Sequence, residues 1–177
     1  MLDEIIGEEE KIADEREATA AQLGTAILQR PIRELLTLRK PVCVAPEANV
    51  REAACRMKEG GAGCVLVEAE GKLIGIFTER DVLTRIVAAG RDAEATLVGE
   101  VMTADPEVLR PDDRVSYALN VMGNGGFRHV PLVDGEDRPV GVVSMRNVVD
   151  YTVELFRTEL LHLPPSPRHM FRGRDGA

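Results

Sequence analysis

Apolar residues along this chain recur in two rhythms, and the rhythms alternate in the same order twice. Val50, Ala53, Ala54 and Met57 follow the three- and four-residue spacing of one helix face, and so do Val115, Ala118, Leu119 and Met122. Each helical pattern ends at paired glycines, Gly60-Gly61 and Gly125-Gly126. Glycine accepts the left-handed conformation that a helix C-terminus often needs, so both helices should stop there. Short apolar runs follow, "GCVLVE" and "HVPLVD", which read as strands. The segments "EAEGK" and "DGEDR" have the residues of hairpin turns and lead to a second pair of strands, "KLIGIFT" and "RPVGVVS". A second helix closes each half, with Val82, Leu83, Ile86 and Val87, or Val148, Val149, Thr152 and Val153, expected on its buried side. An apolar run, "PVCVAP" or "PEVLRP", opens each half as a further strand. The order is β-α-β-β-α, twice.

The match extends to residues in register. An offset of 65 pairs Pro46 with Pro111, Val50 with Val115, Ala53 with Ala118, Met57 with Met122, and Val65 with Val130. One inserted residue makes it 66, and then Gly75 meets Gly141, Thr78 meets Ser144, and Asp81 meets Asn147. Matching glycines in register mark an internal duplication. Half of so short a chain buries little surface alone, so the two copies should pack into one unit with pseudo-twofold symmetry. The fold class is α/β (α+β). The expected division is an acidic helical extension over 1–30, a first repeat over 31–90, a second over 91–156, and a tail over 157–177.

Charge narrows the function. The chain has 177 residues and a net charge of −8, and residues 1–30 hold eight acids against three bases. That balance repels nucleic acid, and 3% aromatic content leaves little for base stacking. No apolar run reaches the ~18 residues of a membrane span, and the acidic start lacks the features of a secretory signal, so a cytoplasmic protein is expected. Cys43, Cys55 and Cys64 are too few and too scattered for a disulfide frame or zinc ribbon. His129, His162 and His169 lie far apart, and no metal site is expected of them. The N-terminal extension suits packing on its own domain, on a dimer mate or on a partner protein. Pro164, Pro165 and Pro167 end any helix in the tail.

The repeated heptapeptides "GIFTERD" (75–81) and "GVVSMRN" (141–147) carry the candidate chemistry. Thr78 and Ser144 stand where a strand ends and a helix begins, with Asp81 and Asn147 three residues on. One reading is structural: a capping box, worth about 1 kcal/mol. The other is functional. A helix start presents free N–H groups to a phosphate, the hydroxyl donates to it, and the acid accepts from a ribose diol. The glycine lets a ligand or neighbouring backbone approach the strand.

With these motifs the chain resembles a tandem pair of CBS domains, the regulatory modules of the cystathionine-β-synthase type. The resemblance rests on "GCVLVEAEGKLIGIFTERDVL" and on residues 101–151, from "VMTADPEVLRP" to "VVSMRNVVDY", and covers roughly residues 31–153. It implies two symmetry-related clefts that bind AMP, ADP, ATP, S-adenosylmethionine or a dinucleotide, and a disc-shaped homodimer. It further implies that Thr78 touches phosphate and Asp81 the ribose in one cleft, with Ser144 and Asn147 doing so in the other. Arg80 would add a phosphate contact. Ala62, Gly63 and Cys64, and their counterparts Phe127, Arg128 and His129, would line the base pockets.

The copies are unequal. Arg128 and His129 offer positive charge where the first copy has Gly63 and Cys64, and Pro131 stands opposite Leu66. Asn147 accepts without charge assistance, a loss of about tenfold in affinity. No nucleophile elbow, HExxH, Walker loop or zinc cluster is present. A nucleotide-sensing module is therefore expected, acting on a target protein that the sequence does not name. An interaction protein with vestigial clefts is the alternative, and an enzyme using an adenosine substrate a third.

Overall fold

The computed structural model describes residue 25, residues 27–35 and residues 40–155. The acidic extension, apart from its last few residues, and the proline-rich tail lie outside the described residues.

Each half builds its helix-and-sheet layer as the periodicity requires. In the first, β1 (Cys43–Val44) leads to a helix over Val50–Gly60, then β2 (Cys64–Ala69) and β3 (Lys72–Thr78). Asn49 caps the helix, its side chain accepting from Glu52 N–H at 2.8 Å, and Gly61 ends it at φ 57°. The β2–β3 hairpin turns through Glu70 (φ 52°) and Gly71 (φ 76°), both left-handed. A helical run, Glu79–Asp81 followed by Val82–Val87, completes the repeat. It is wound wide: Ala88 N–H bonds to Leu83 C=O and Arg91 N–H to Ile86 C=O, five residues back.

The second half repeats the plan with a helix over Val115–Gly125, β5 (His129–Val133), β6 (Pro139–Ser144) and a helix over Met145–Leu155. Gly126 ends the first of these helices at φ 67°. At the β5–β6 turn the Asp134 carboxylate accepts from Glu136 N–H, Arg138 N–H and Arg138 Nε. Those bonds, the Arg138 side chain foremost, pull its pKa down to about 2.

Two expectations need correction. "PEVLRP" forms no full strand; Leu109 alone bridges to Leu132, parallel, at the place where Val44 pairs with Val67. A strand not foreseen, β4 (Thr103–Ala104), instead joins the first repeat's sheet, giving the order β1-β2-β3-β4 with Gly75 opposite Ala104.

The closing helices also bury less than expected. Ile86 and Val148 are buried, but Leu83, Val87, Val149 and Val153 are exposed. These helices have core on one side only, so the residues one position along face outward.

The two halves exchange their opening segments. Ile32 N–H donates to Asp113 C=O at 2.8 Å and Val115 N–H to Arg30 C=O at 2.9 Å. In the other half Val98 N–H donates to Ala48 C=O at 2.8 Å and Val50 N–H to Thr96 C=O at 3.0 Å. Side chains follow the backbone. Val98 and Val101, from the short helix Val98–Val101, fill the first core with Val50, Ala53, Met57, Val65, Val67 and Phe77. Ile32 fills the second with Ala118, Met122, Val130, Leu132 and Val143. Each such side chain contributes on the order of 2 kcal/mol on burial, so separating the halves would expose apolar surface in both cores. The sheets meet through their other faces, where Cys64, Leu66 and Ile76 pack with Val142. No helix among the described residues is long and apolar enough to cross a membrane.

Candidate functional site

Where β3 ends, Thr78 has extended backbone (φ −121°, ψ 165°) and caps the helical run that follows. Its backbone N–H donates to Asp81 Oδ2 at 2.9 Å and its hydroxyl to the same oxygen at 2.7 Å. Asp81 N–H donates back to Thr78 Oγ1 at 3.3 Å. The capping box read from the sequence is therefore formed. Asp81 is only 8% exposed, and its second oxygen, Oδ1, lies 3.1 Å from Arg85 Nε.

The equivalent corner repeats this geometry. Ser144 N–H and hydroxyl donate to Asn147 Oδ1 at 2.8 and 2.6 Å, and Asn147 N–H returns to Ser144 Oγ at 3.3 Å. The residue four beyond the acid position differs, Arg85 in one copy and Tyr151 in the other.

A cleft of about 250 Å³ opens beside the Thr78 corner. The first repeat contributes Gly63, Thr78, Arg80 and Asp81, and the second contributes Phe127, Arg128, His129 and Pro131. Eight of the residues singled out in the sequence thus meet in one place, drawn from both copies. Ala62, Cys64, Ser144 and Asn147 lie outside this cleft. Cys64 is buried against the facing sheet, and burial above all, then Glu79 and Cys43, pushes its thiol up to about 12.

The cleft is tied together by arginines. Arg80 Nη1 donates to Gly126 C=O at 2.8 Å, which joins the first repeat's corner to the glycine cap of the second repeat's helix. Arg85 reaches the opening segment of the second repeat, with Nη1 on Val101 C=O at 2.6 Å and Nη2 on Thr103 Oγ1 at 3.0 Å. Arg85 was not foreseen as a site residue. On a helix, four residues from an acid, it reads as an ordinary surface ion pair. Glu79 and Glu107 also line the cleft and dilute its positive charge.

His129 corrects a sequence expectation. Burial first, then the Arg128 charge, lowers its pKa, and Glu79 only partly opposes this. Its ring is thus biased toward the neutral form, and the fixed cation of this pair is Arg128. The ring lies against Gly63, where a Cβ would come within 2.8 Å of His129 Nε2. Gly63 therefore leaves the space into which the His129 ring packs.

Comparison with known proteins agrees with the fold. The family model for the CBS domain matches residues 32–88 and again residues 98–154. The CBS domain-containing protein CBSCBSPB1 of Arabidopsis thaliana is 39% identical over 114 residues, or 64% of this chain. The matched region spans only 21% of that relative's length. Among solved structures, the CBS-domain containing protein ATU1752 from Agrobacterium tumefaciens is 30% identical with a TM-score of 0.62, covering 69% of this chain and 98% of that one. The CBS domain protein PAE2072 from Pyrobaculum aerophilum, complexed with AMP, is 27% identical with a TM-score of 0.63, covering 72% and 98%. The chain belongs to the CBS-domain family and carries two CBS domains in tandem.

Proposed function

We propose that this chain is a regulatory module that binds an adenosine nucleotide in the cleft between its two CBS domains. One observation carries the reading: the Thr78–Asp81 corner of one domain faces the Phe127–His129 segment of the other across a single cleft. The corner offers a hydroxyl and helix-start N–H groups for phosphate, and a carboxylate for the ribose. Arg128 and Arg80 offer charge, and Phe127, Pro131 and Ile76 offer an apolar wall for the base. The AMP held by the Pyrobaculum relative supports the same ligand class. Ser144 and Asn147 would serve a second, weaker cleft together with Ala62 and Cys64.

Binding regulates only if the ligand favours one state over another. The arginine ties from Arg80 and Arg85 to the second domain give a route by which an occupied cleft alters how the domains sit. Leu83 and Val87 on one closing helix, and Val149 and Val153 at the equivalent places on the other, form exposed apolar pairs suited to a second copy of the chain. A homodimer assembled on these helices is part of the proposal. On this reading the ligand acts as a regulator and is not turned over.

A second reading rests on a specific observation: both capping boxes are complete without a ligand. On that reading Thr78 and Ser144 are caps alone, and the chain is an interaction protein. A thermal-shift panel of AMP, ADP, ATP, S-adenosylmethionine and NAD separates the two. A ligand at 100 times its dissociation constant adds about 2.7 kcal/mol, which in a protein of this size is roughly 5–10 °C. A flat response across the panel favours the structural reading.

A further inference from the structure

Among the described residues six charged side chains line the cleft: Glu79, Asp81 and Glu107 against Arg80, Arg85 and Arg128. Their formal charges cancel. Asp81 and Arg85 form one ion pair, and Arg85 is held further by Val101 C=O and Thr103 Oγ1. Arg80 and Arg128 are left facing Glu79 and Glu107. Among the described residues none of these four is in an ion pair, so both acids act on whatever enters the cleft. Glu79 follows the Thr78 cap directly, and its Oε2 lies 3.6 Å from where a Cβ on Gly63 would stand. One acid is therefore at the corner itself. His129, biased toward its neutral form, adds little charge.

A single phosphate is close to a dianion at neutral pH. Arg80 and Arg128 match it. Each further phosphate in a chain adds negative charge. The described residues lining the cleft offer no further cation for it, and Glu79 and Glu107 repel it.

We infer that the cleft selects adenosine monophosphate against the di- and triphosphate, and that Glu79 and Glu107 set this limit. The inference rests on the nucleotide reading of the cleft and narrows it to ligands with one phosphate group. All four unpaired side chains are exposed, so solvent screens the repulsion. An exposed charge contact changes affinity by up to about fivefold, and two together by about tenfold.

The test is calorimetric titration of AMP, ADP and ATP without divalent cations, which would offset the charge of the longer phosphate chains. Dissociation constants are taken for the binding step that Asp81→Ala removes. In the wild type ATP should bind about tenfold more weakly than AMP, with ADP between them. In the double variant Glu79→Gln with Glu107→Gln the ratio of the ATP and AMP constants should approach one. ATP bound as tightly as AMP by the wild type, or a preference for AMP that the double variant keeps, overturns the inference while leaving the cleft a nucleotide site. If the double variant does not fold, Glu107→Gln alone should still lower the ratio severalfold, and an unchanged ratio overturns the inference. If the wild type binds none of the three, or binds AMP equally well with Asp81→Ala, the reading of the cleft falls and the inference with it.

Discussion

Asp81 and Asn147 hold their neighbours alike, through one side-chain oxygen that accepts both the N–H and the hydroxyl of the residue three before. They differ in charge and in the residue four positions on: Asp81 pairs with Arg85, and Tyr151 stands at the equivalent place after Asn147. Charged acceptors make the stronger hydrogen bonds, so Asp81→Ala should weaken AMP binding about tenfold more than Asn147→Ala. Each variant also loses part of a cap, at about 1 kcal/mol, which denaturant melts will register separately. Calorimetric affinities that rank the two variants the other way would contradict the proposed asymmetry between the two corners.

His129 should make stability depend on pH. Its pKa in the folded chain is lowered by burial, then by Arg128, whereas the unfolded chain titrates near 6.5. Below about pH 6.5 the unfolded state takes up the proton first. The stabilisation is therefore present above that pH and is lost as pH falls toward the folded value. Between pH 7.5 and 5.5 the melting temperature should drop more in the wild type than in His129→Gln. Equal drops would show that the ring does not carry the effect.

Two glycines should respond in opposite directions to alanine. At Gly75 a Cβ meets the Met102 side chain and comes within 3.1 Å of Thr103 C=O, because β4 lies across it. Overpacking of this kind costs about 1–3 kcal/mol. At Gly123, inside the Val115–Gly125 helix, a Cβ meets nothing within 4 Å. Alanine there should stabilise by about 0.5–1 kcal/mol. Chemical denaturation of the two variants measures both, and a neutral Gly75→Ala would argue against the close seat of β4.

Leu83 and Val149 stand at matching positions on the closing helices and are 62% and 52% exposed. If a second copy covers them, the double variant Leu83→Glu with Val149→Glu should sediment as a monomer while remaining folded. A parent protein that is itself monomeric, or a variant that still dimerises, would place the interface elsewhere.

The repeat, the helix faces and the glycine stops were legible because each is written in local spacing. Gly61 and Gly126 take the left-handed conformation their pairing suggested. The capping boxes were legible too, since Thr78 and Asp81 are three residues apart. The exchange of opening segments was not. Ile32 and Val98 are apolar whichever core receives them, and nothing local says that each crosses to the other half. Arg85 escaped notice for a related reason: its pairing with Asp81 is local, but its bonds to Val101 and Thr103 exist only once β4 joins the first sheet. Leu83 and Val149 fit the helical stripe as well as Ile86 does, and only the packing decides which side of that stripe is covered.

A calorimetric titration of AMP into the wild type and into Asp81→Ala bears most directly on the proposed nucleotide-sensing role. Saturable binding by the wild type, weakened at least tenfold by the substitution in a protein that still melts cooperatively, is the expected result. Heats that show no binding, or equal affinity in both proteins, would contradict it and leave Thr78 and Asp81 as a helix cap.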